Sequence, residues 1–201
     1  MICLDFDGVI ADTLGFWDRL CRQAAAEQGL VLPRGMTPFA RLCPLTFLQL
    51  GADLGLDAAR FDKRMAALSL EQESVAAPFP EMPACLETLA ALAPLCVLSS
   101  SRTVFVRWFL SRHGLDGHFR DVLGGDRHPG KAAALRSMPQ AVLMIGDAKS
   151  DIDAARQAGL RSVGVLWGWQ DRSMLEGADY LAERPEELLT FARAALAEPR
   201  G

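Results

Sequence analysis

The fold is decided by the stretch Met1-Ile2-Cys3-Leu4-Asp5-Phe6-Asp7-Gly8, in which an apolar run leads directly into two aspartates and a glycine. A short run that is almost wholly apolar is typical of a strand buried on both faces of a parallel sheet. In an extended segment, Asp5 and Asp7 point to the same side. Their like charges are costly unless a cation or a proton relieves them, and Gly8 lets the backbone turn sharply beyond them. Taken alone, the segment also fits an acidic junction exposed to water.

The composition narrows the class of protein. The chain has 201 residues, of which 50% are hydrophobic and 23% are charged. These values fit one domain, or one domain with a small insert, and they argue against a disordered chain or a coiled coil. The net charge of −4 argues against a general nucleic-acid binder, which is usually basic. No apolar run approaches the ~20 residues that a membrane span requires, and the start does not resemble a signal peptide.

Cysteine and lysine are also informative. The five cysteines form no C-x-x-C pair, which argues against a zinc site or a disulfide scaffold and favours a reducing cytoplasm. Only three of the 21 basic residues are lysines, namely Lys63, Lys131 and Lys149. Each lysine can therefore be considered singly.

Further short apolar runs alternate with helical patterns along the chain. The runs are 95–98, 121–123, 141–145 and 162–166, and the helical patterns are 102–113, 131–137, 150–158 and 185–197. Gly114 and Gly159 stand where helix C-caps are expected. This alternation predicts an α/β fold, a Rossmann-like parallel sheet with helices on both faces.

Residues 15–80 interrupt the alternation, because they contain no convincing strand. They predict three or four helices, at 14–28, 37–50 and 57–71, with Thr37 and Asp57 as suitable N-caps. We therefore predict a Rossmann-like core of residues 1–14 and 81–201 and a small inserted α-helical cap of residues 15–80. An insert directly after the first strand is expected over the strand's carboxyl end, where ligands bind in open α/β sheets.

Polar side chains follow other predicted strands or begin helices. Asp147 and Asp151 follow the run 141–145, and together with Asp5 and Asp7 they suggest a hard divalent cation such as Mg²⁺. Ser99 and Ser100 stand between a strand and a helix, where an anion binds well; ordinary N-capping by Ser100 or Ser101 is the alternative. Lys131 begins a helix, where the dipole disfavours a cation, so either a nearby anion or solvent accounts for it.

In their order along the chain, these segments resemble the four motifs of the haloacid dehalogenase superfamily. The four are L-D-F-D-G-V-I-A-D-T from Leu4, the strand ending in Ser99, Lys131, and G-D-x-x-x-D from Gly146. The position of the insert resembles the helical-cap class of that superfamily. The later V-G-V-L-W-G-W and P-E-E-L-L segments resemble its phosphoglycolate phosphatase-like branch. Asp7 resembles the phosphotransferase members, since dehalogenases of the superfamily lack that second aspartate.

The resemblance implies a Mg²⁺-dependent phosphatase that hydrolyses a small phosphorylated metabolite through an aspartyl-phosphate. Asp5 would be the nucleophile, and Asp7 would protonate the leaving oxygen and then deprotonate water. Ser99, Ser100 and Lys131 would bind the phosphate. The metal set would consist of Asp5, Asp7 through its carbonyl, Asp147 and Asp151, the last supporting the site through waters or Lys131.

Two other functions stay open: a β-phosphoglucomutase-type phosphomutase, and a phosphoacceptor or binding module without turnover. Lys63 lies on a polar helix face, which argues against Schiff-base chemistry, and Lys149 is expected on the surface. Phe16 and Trp17 are candidates to line the substrate pocket, although packing in the helical core explains them as well. We expect a cytoplasmic monomer or homodimer that binds neither nucleic acid nor membrane, and we assign the three histidines no role.

Overall fold

The computed structural model describes residues 1–36, 38, 46–72 and 76–197, which divide into two compact units. The sheet unit comprises Met1–Asp12 together with the chain from Ala77 onward. The helical unit comprises Thr13–Ala76.

The sheet unit is built on six parallel strands in the order β3-β2-β1-β4-β5-β6. The strands are β1 (Ile2–Leu4), β2 (Leu95–Leu98), β3 (Phe119–Leu123), β4 (Leu143–Gly146), β5 (Arg161–Val165) and β6 (Tyr180–Ala182). The order reverses between β1 and β4, and such a reversal opens a crevice at the carboxyl ends of the two strands. The predicted parallel α/β sheet is thereby confirmed.

Five helices of the sheet unit cover both faces of the sheet. They are α4 (Met82–Leu92), α5 (Thr103–Arg112), α6 (Lys131–Arg136), α7 (Lys149–Gln157) and α8 (Leu188–Ala197). On one face, Cys3 and Met144 pack in one cluster with Leu135 of α6 and Ala155 of α7. On the other face, the ring of Phe6 lies 5.0 Å from the ring of Phe109 in α5.

The register of the central strands brings the polar residues that follow them in the chain to one edge of the sheet. Leu4 pairs with Val97 of β2 and with Ile145 of β4. The amide of Asp5 continues the pairing, because it donates a 2.8 Å hydrogen bond to the carbonyl of Ile145. The side chains that follow these strands therefore share the carboxyl edge.

The helical unit contains α1 (Leu14–Ala26), α2 (Phe47–Asp53) and α3 (Ala58–Glu71). Asp57 caps α3 as predicted, since its side chain accepts a 3.0 Å hydrogen bond from the amide of Arg60. Phe61, Met65 and Leu68 of α3 are buried. The predicted N-cap Thr37 and the Pro44-containing part of the predicted second helix lie outside the described residues.

Two elements were not predicted. Helix α4 is mostly apolar, so it shows little of the polar-apolar alternation that marks a surface helix, and Pro83 stands in its first turn, where proline is tolerated. Strand β6 has only three residues, too few to show a period. Gly114 and Gly159 have φ values of +68° and +67°. Both therefore adopt the left-handed backbone conformation expected of a glycine that ends a helix. In the part of the chain that the structure describes, no helix is long and apolar enough to cross a membrane.

Candidate active site

Three buried carboxylates meet at the carboxyl edge of the sheet. Asp5 follows β1, Asp147 follows β4, and Asp151 lies in the first turn of α7. One oxygen from each lies within 4.8 Å of the others. Two strand ends and one helix start thus place three of the predicted acidic residues together, although Asp5 precedes the other two by more than 140 residues in the chain.

Lys131 connects two of these carboxylates. Its Nζ lies 2.7 Å from Oδ2 of Asp5 and 2.6 Å from Oδ1 of Asp151. Burial by itself would lower the pKa of Lys131, but Asp151 and Asp5 outweigh burial and raise it above its ordinary value. The lysine is therefore held as a cation at the start of α6, where the helix dipole alone would disfavour it.

The charge of the cluster is not balanced by Lys131 alone. Burial raises the pKa of Asp147 well above its ordinary range, and the carboxylates of Asp5 and Asp151 raise it further. Burial also raises the pKa of Asp151 to about 7, against the opposing effect of Lys131. Three ionised carboxylates beside one ammonium leave two negative charges in a buried place, so the donor set fits a hard divalent cation such as Mg²⁺.

Two glycines allow Asp147 to reach this position. Gly8 has φ of +76°, and a Cβ there would lie 2.0 Å from Oδ2 of Asp147. A Cβ on Gly168 would lie 2.2 Å from Cβ of Asp147 and 2.7 Å from the carbonyl oxygen of Gly8. The backbone at both positions is in such close contact with Asp147 that no side chain fits there without a shift.

The serine loop after β2 provides hydroxyl groups at the same edge. Ser99 is fully buried, and its Oγ accepts a 3.0 Å hydrogen bond from the amide of Ser101. The hydroxyl of Ser101 donates a 2.6 Å hydrogen bond to Oδ2 of Asp7, a contact that the sequence analysis missed. Ser100 is exposed. The three adjacent serines are evident in the sequence, but the backbone conformation of the loop after β2 decides which hydroxyl makes a hydrogen bond to Asp7.

The alternative role of these serines as helix caps is wrong. Helix α5 begins at Thr103, and its N-cap residue Arg102 makes no side-chain cap. The amide of Thr103 instead donates a 2.6 Å hydrogen bond to Oδ1 of Asp126. Hydrogen bonds to Thr103 hold the pKa of Asp126 below its ordinary value, although burial opposes them.

His128, to which we assigned no role, lies on the loop that leads to Lys131. Its Nε2 is 3.0 Å from the carbonyl oxygen of Ser99, and since a carbonyl only accepts, Nε2 carries the proton. The imidazole therefore ties the lysine loop to the serine loop. No spacing rule could have found this contact, because it joins two loops that follow different strands.

The segment 167–170 after β5 also reaches the site. The amide of Trp169 donates a 2.7 Å hydrogen bond to Oδ2 of Asp147, and Nε1 of Trp167 donates a 3.2 Å hydrogen bond to the carbonyl of Val9. The hydrogen bond of Trp169 uses the main chain, so its side chain gave no signal in the sequence.

The remaining candidates lie elsewhere in their units. Phe16 and Trp17 of α1 are buried, and their rings lie 5.0 Å apart; their role in a substrate pocket stays a prediction. Lys149 pairs with Asp153 at 2.8 Å on the partly exposed side of α7. Lys63 is exposed on α3.

Comparison with known proteins agrees with this arrangement. The family model of haloacid dehalogenase-like hydrolases matches residues 2–165. The phosphoglycolate phosphatase of Synechococcus elongatus is 30% identical over 201 residues, which cover 94% of this chain and 94% of that protein.

Two solved structures show the same fold. A structure described as a predicted phosphatase from Clostridium acetobutylicum has a TM-score of 0.84 at 19% identity and covers 96% of this chain and 97% of its own. One described as a predicted phosphoglycolate phosphatase from Haemophilus somnus has a TM-score of 0.81 at 20% identity and covers 95% and 96%. The resemblance seen in the motifs is confirmed, and the chain belongs to the family of haloacid dehalogenase-like hydrolases, as an enzyme similar to the phosphoglycolate phosphatases.

Proposed function

We propose that this enzyme is a Mg²⁺-dependent phosphatase that hydrolyses a small phosphorylated metabolite through an aspartyl-phosphate on Asp5. The observation that carries the proposal is the buried group of Asp5, Asp147 and Asp151 bridged by Lys131 at the carboxyl edge. The loops after β1 and β2 at the same edge carry the Ser99 hydroxyl and an Asp7 carboxylate to which Ser101 donates a hydrogen bond. Phosphoryl transfer needs a nucleophile, an acid–base group and hydrogen-bond donors to the phosphate oxygens.

Asp5, Asp147 and the main-chain carbonyl of Asp7 would hold Mg²⁺. When bound, the metal supplies positive charge that stabilises the phosphoryl oxygens during transfer. Asp151 has a different task. Its Oδ1 accepts from Lys131 at 2.6 Å and its Oδ2 accepts from the amide of Ala148 at 3.3 Å, so it fixes the lysine between itself and Asp5.

The chemical steps follow from the side chains. A carboxylate oxygen of Asp5 attacks phosphorus in line as the bond to the ester oxygen breaks, and Asp7 gives that leaving oxygen its proton. Asp7 then takes a proton from a water molecule, which attacks phosphorus and releases Asp5. Lys131 and the Ser99 hydroxyl would stabilise the charge on the phosphoryl oxygens.

The relatives suggest the substrate class. Because the Synechococcus relative is a phosphoglycolate phosphatase, 2-phosphoglycolate is the first compound to assay. We propose that the helical unit acts as the cap and selects the substrate, with Phe16 and Trp17 at the pocket. We also propose a cytoplasmic location, which the buried free thiols of Cys3, Cys21, Cys85 and Cys96 support.

Phosphate release tests the proposal directly. Wild-type protein is incubated with p-nitrophenyl phosphate, 2-phosphoglycolate and a set of other phosphorylated metabolites, with Mg²⁺ or with EDTA. We expect Mg²⁺-dependent release, and a loss of at least about a thousandfold in Asp5→Asn, because the nucleophile is gone. Folded wild-type protein without any release contradicts the phosphatase.

The products distinguish the two alternatives. Transfer to a hydroxyl of a sugar phosphate in place of water would indicate the phosphomutase. A stable phosphoryl group on Asp5 without turnover would indicate the phosphoacceptor. Full activity of Asp5→Asn would disprove the nucleophile.

A further inference from the structure

The segment from Trp167 to Gln170, here called the strap, makes a hydrogen bond to each end of the segment 147–149, here called the metal loop. The amide of Trp169 donates to Oδ2 of Asp147 at 2.7 Å. One residue later, Oε1 of the buried side chain of Gln170 accepts a 2.8 Å hydrogen bond from the amide of Lys149. Asp147 and Lys149 are two residues apart, so the strap is hydrogen-bonded to both ends of the metal loop.

The side chain of Gln170 supplies a hydrogen-bond acceptor to the first amide of α7, that of Lys149. The first amides of a helix have no partner within the helix, and a Ser, Thr, Asp or Asn at the N-cap normally accepts from one of them. Here the N-cap residue is Ala148, whose side chain has no oxygen. Gln170 supplies an acceptor to the first helical residue from a position 21 residues later in the chain.

The strap is also packed against the opposite side of the site. Nε1 of Trp167 donates to the carbonyl of Val9, and Gly168 approaches both Asp147 and Gly8 closely. The strap therefore spans from the loop after β1 to the start of α7. Movement of Gln170 away from Lys149 would release both the helix start and the hydrogen bond that orients Asp147.

We propose that Gln170 is a positioning residue for the metal site, because it caps α7 from the strap and thereby fixes the carboxylate of Asp147. The inference rests on the proposed function only in that Asp147 binds Mg²⁺. Partners that orient a metal ligand typically contribute about 10- to 100-fold to metal affinity.

Calorimetric titration with Mg²⁺ in the absence of substrate tests the inference. Gln170→Met keeps the length of the side chain and removes the acceptor, whereas Gln170→Glu keeps an acceptor oxygen. We expect Mg²⁺ to bind Gln170→Met about tenfold or more weakly than wild type, and Gln170→Glu to retain most of the affinity. In activity assays, excess Mg²⁺ should restore kcat of Gln170→Met with little change in KM for the phosphoester.

Asp57→Ala is the control, because it removes a side-chain hydrogen bond to an amide in the first turn of α3, in the helical unit. It should lower thermal stability and leave the Mg²⁺ affinity unchanged. Wild-type affinity in Gln170→Met, or equal loss in Gln170→Glu and Gln170→Met, overturns the inference. Phosphate release by the wild type separates the two proposals. If the wild type is active and Gln170→Met binds Mg²⁺ as tightly as the wild type, only the role of Gln170 is refuted. Inactive wild type whose Mg²⁺ binding still depends on Gln170 refutes only the phosphatase.

Discussion

The hydroxyl of Ser101 lies 2.6 Å from Oδ2 of Asp7 and donates a hydrogen bond to it, although the two residues are 94 positions apart. The loops after β1 and β2 are thereby joined at the group that we propose as acid and base. A carboxylate that must first meet the leaving oxygen and then a water molecule has to be held in place, and Ser101 provides that restraint.

Ser101→Ala should lower kcat about tenfold, because one hydrogen bond to a charged group contributes about 1.5 kcal/mol or more. Ser101→Thr keeps the hydroxyl and should restore most of kcat. Exposed Ser111 of α5 offers the control Ser111→Ala, with no change expected. Steady-state phosphate release measures all three, and an unchanged kcat in Ser101→Ala would refute the role of Ser101.

Lys131→Met should reduce kcat by about 100-fold or more, since it removes a fixed positive charge from the phosphoryl oxygens. It should also lower the melting temperature, because Asp5 and Asp151 lose the cation that they share in a buried place. Lys149→Met, on the partly exposed side of α7, serves as the control and should change neither quantity. Equal effects of the two substitutions would argue against a special role for Lys131.

The pH dependence of stability tests the charge of the metal-free site. Because the pKa values of Asp147 and Asp151 are raised on folding, the folded protein binds more protons than the unfolded chain above about pH 4, the ordinary Asp value. The free energy of unfolding should therefore fall as pH rises from about 4 through 7. Mg²⁺ should reverse this loss at pH 8, since it binds only the folded site.

Asp147→Asn should remove part of that pH dependence. It keeps an oxygen for the amide of Trp169 but carries no charge, so in EDTA at pH 8 it should melt about 3 °C or more above wild type. Thermal melts at pH 5 and pH 8, with and without Mg²⁺, provide the measurement. A lower melting temperature for Asp147→Asn at pH 8 in EDTA would contradict the repulsion among the carboxylates.

Gly168→Ala tests the close contact between the strap and Asp147. Its new Cβ would meet Cβ of Asp147 at 2.2 Å, so the strap or the metal loop has to move. We expect Mg²⁺ affinity to fall at least about tenfold. In Gly177→Ala the nearest atom, Cγ2 of Ile152, would lie at 3.7 Å, an ordinary contact, so its affinity should stay at the wild-type value.

The fold was predictable where the strands are apolar throughout. The runs at β1, β2 and β4 carry no competing signal, and the polar residues that follow them indicate one edge of a parallel sheet. Strand β6 could not be predicted because its apolar run of three residues is enclosed by the charged Asp179 and Glu183. Helix α4 was missed because most of its residues are apolar and give little periodic contrast.

Side chains at the strand ends were predictable, whereas their supporting contacts were not. Asp5, Asp147 and Lys131 are identified by residue type and position. Ser101, His128 and Gln170 act through contacts between loops that are far apart in the chain. Such contacts depend on turn geometry, and the hydrogen bond from the amide of Trp169 would be available to any residue except proline.

The central place of β1 has a consequence for biosynthesis. Ile2 pairs with Leu95 on one side and with Leu143 on the other, so a chain emerging from the ribosome must make about 140 residues before β1 has both partners. Until then, this apolar strand has at least one open edge, which is a hazard for aggregation. The acidic cluster cannot assemble before Asp151 has been translated, because Asp5 and Asp147 have their third carboxylate neighbour only then.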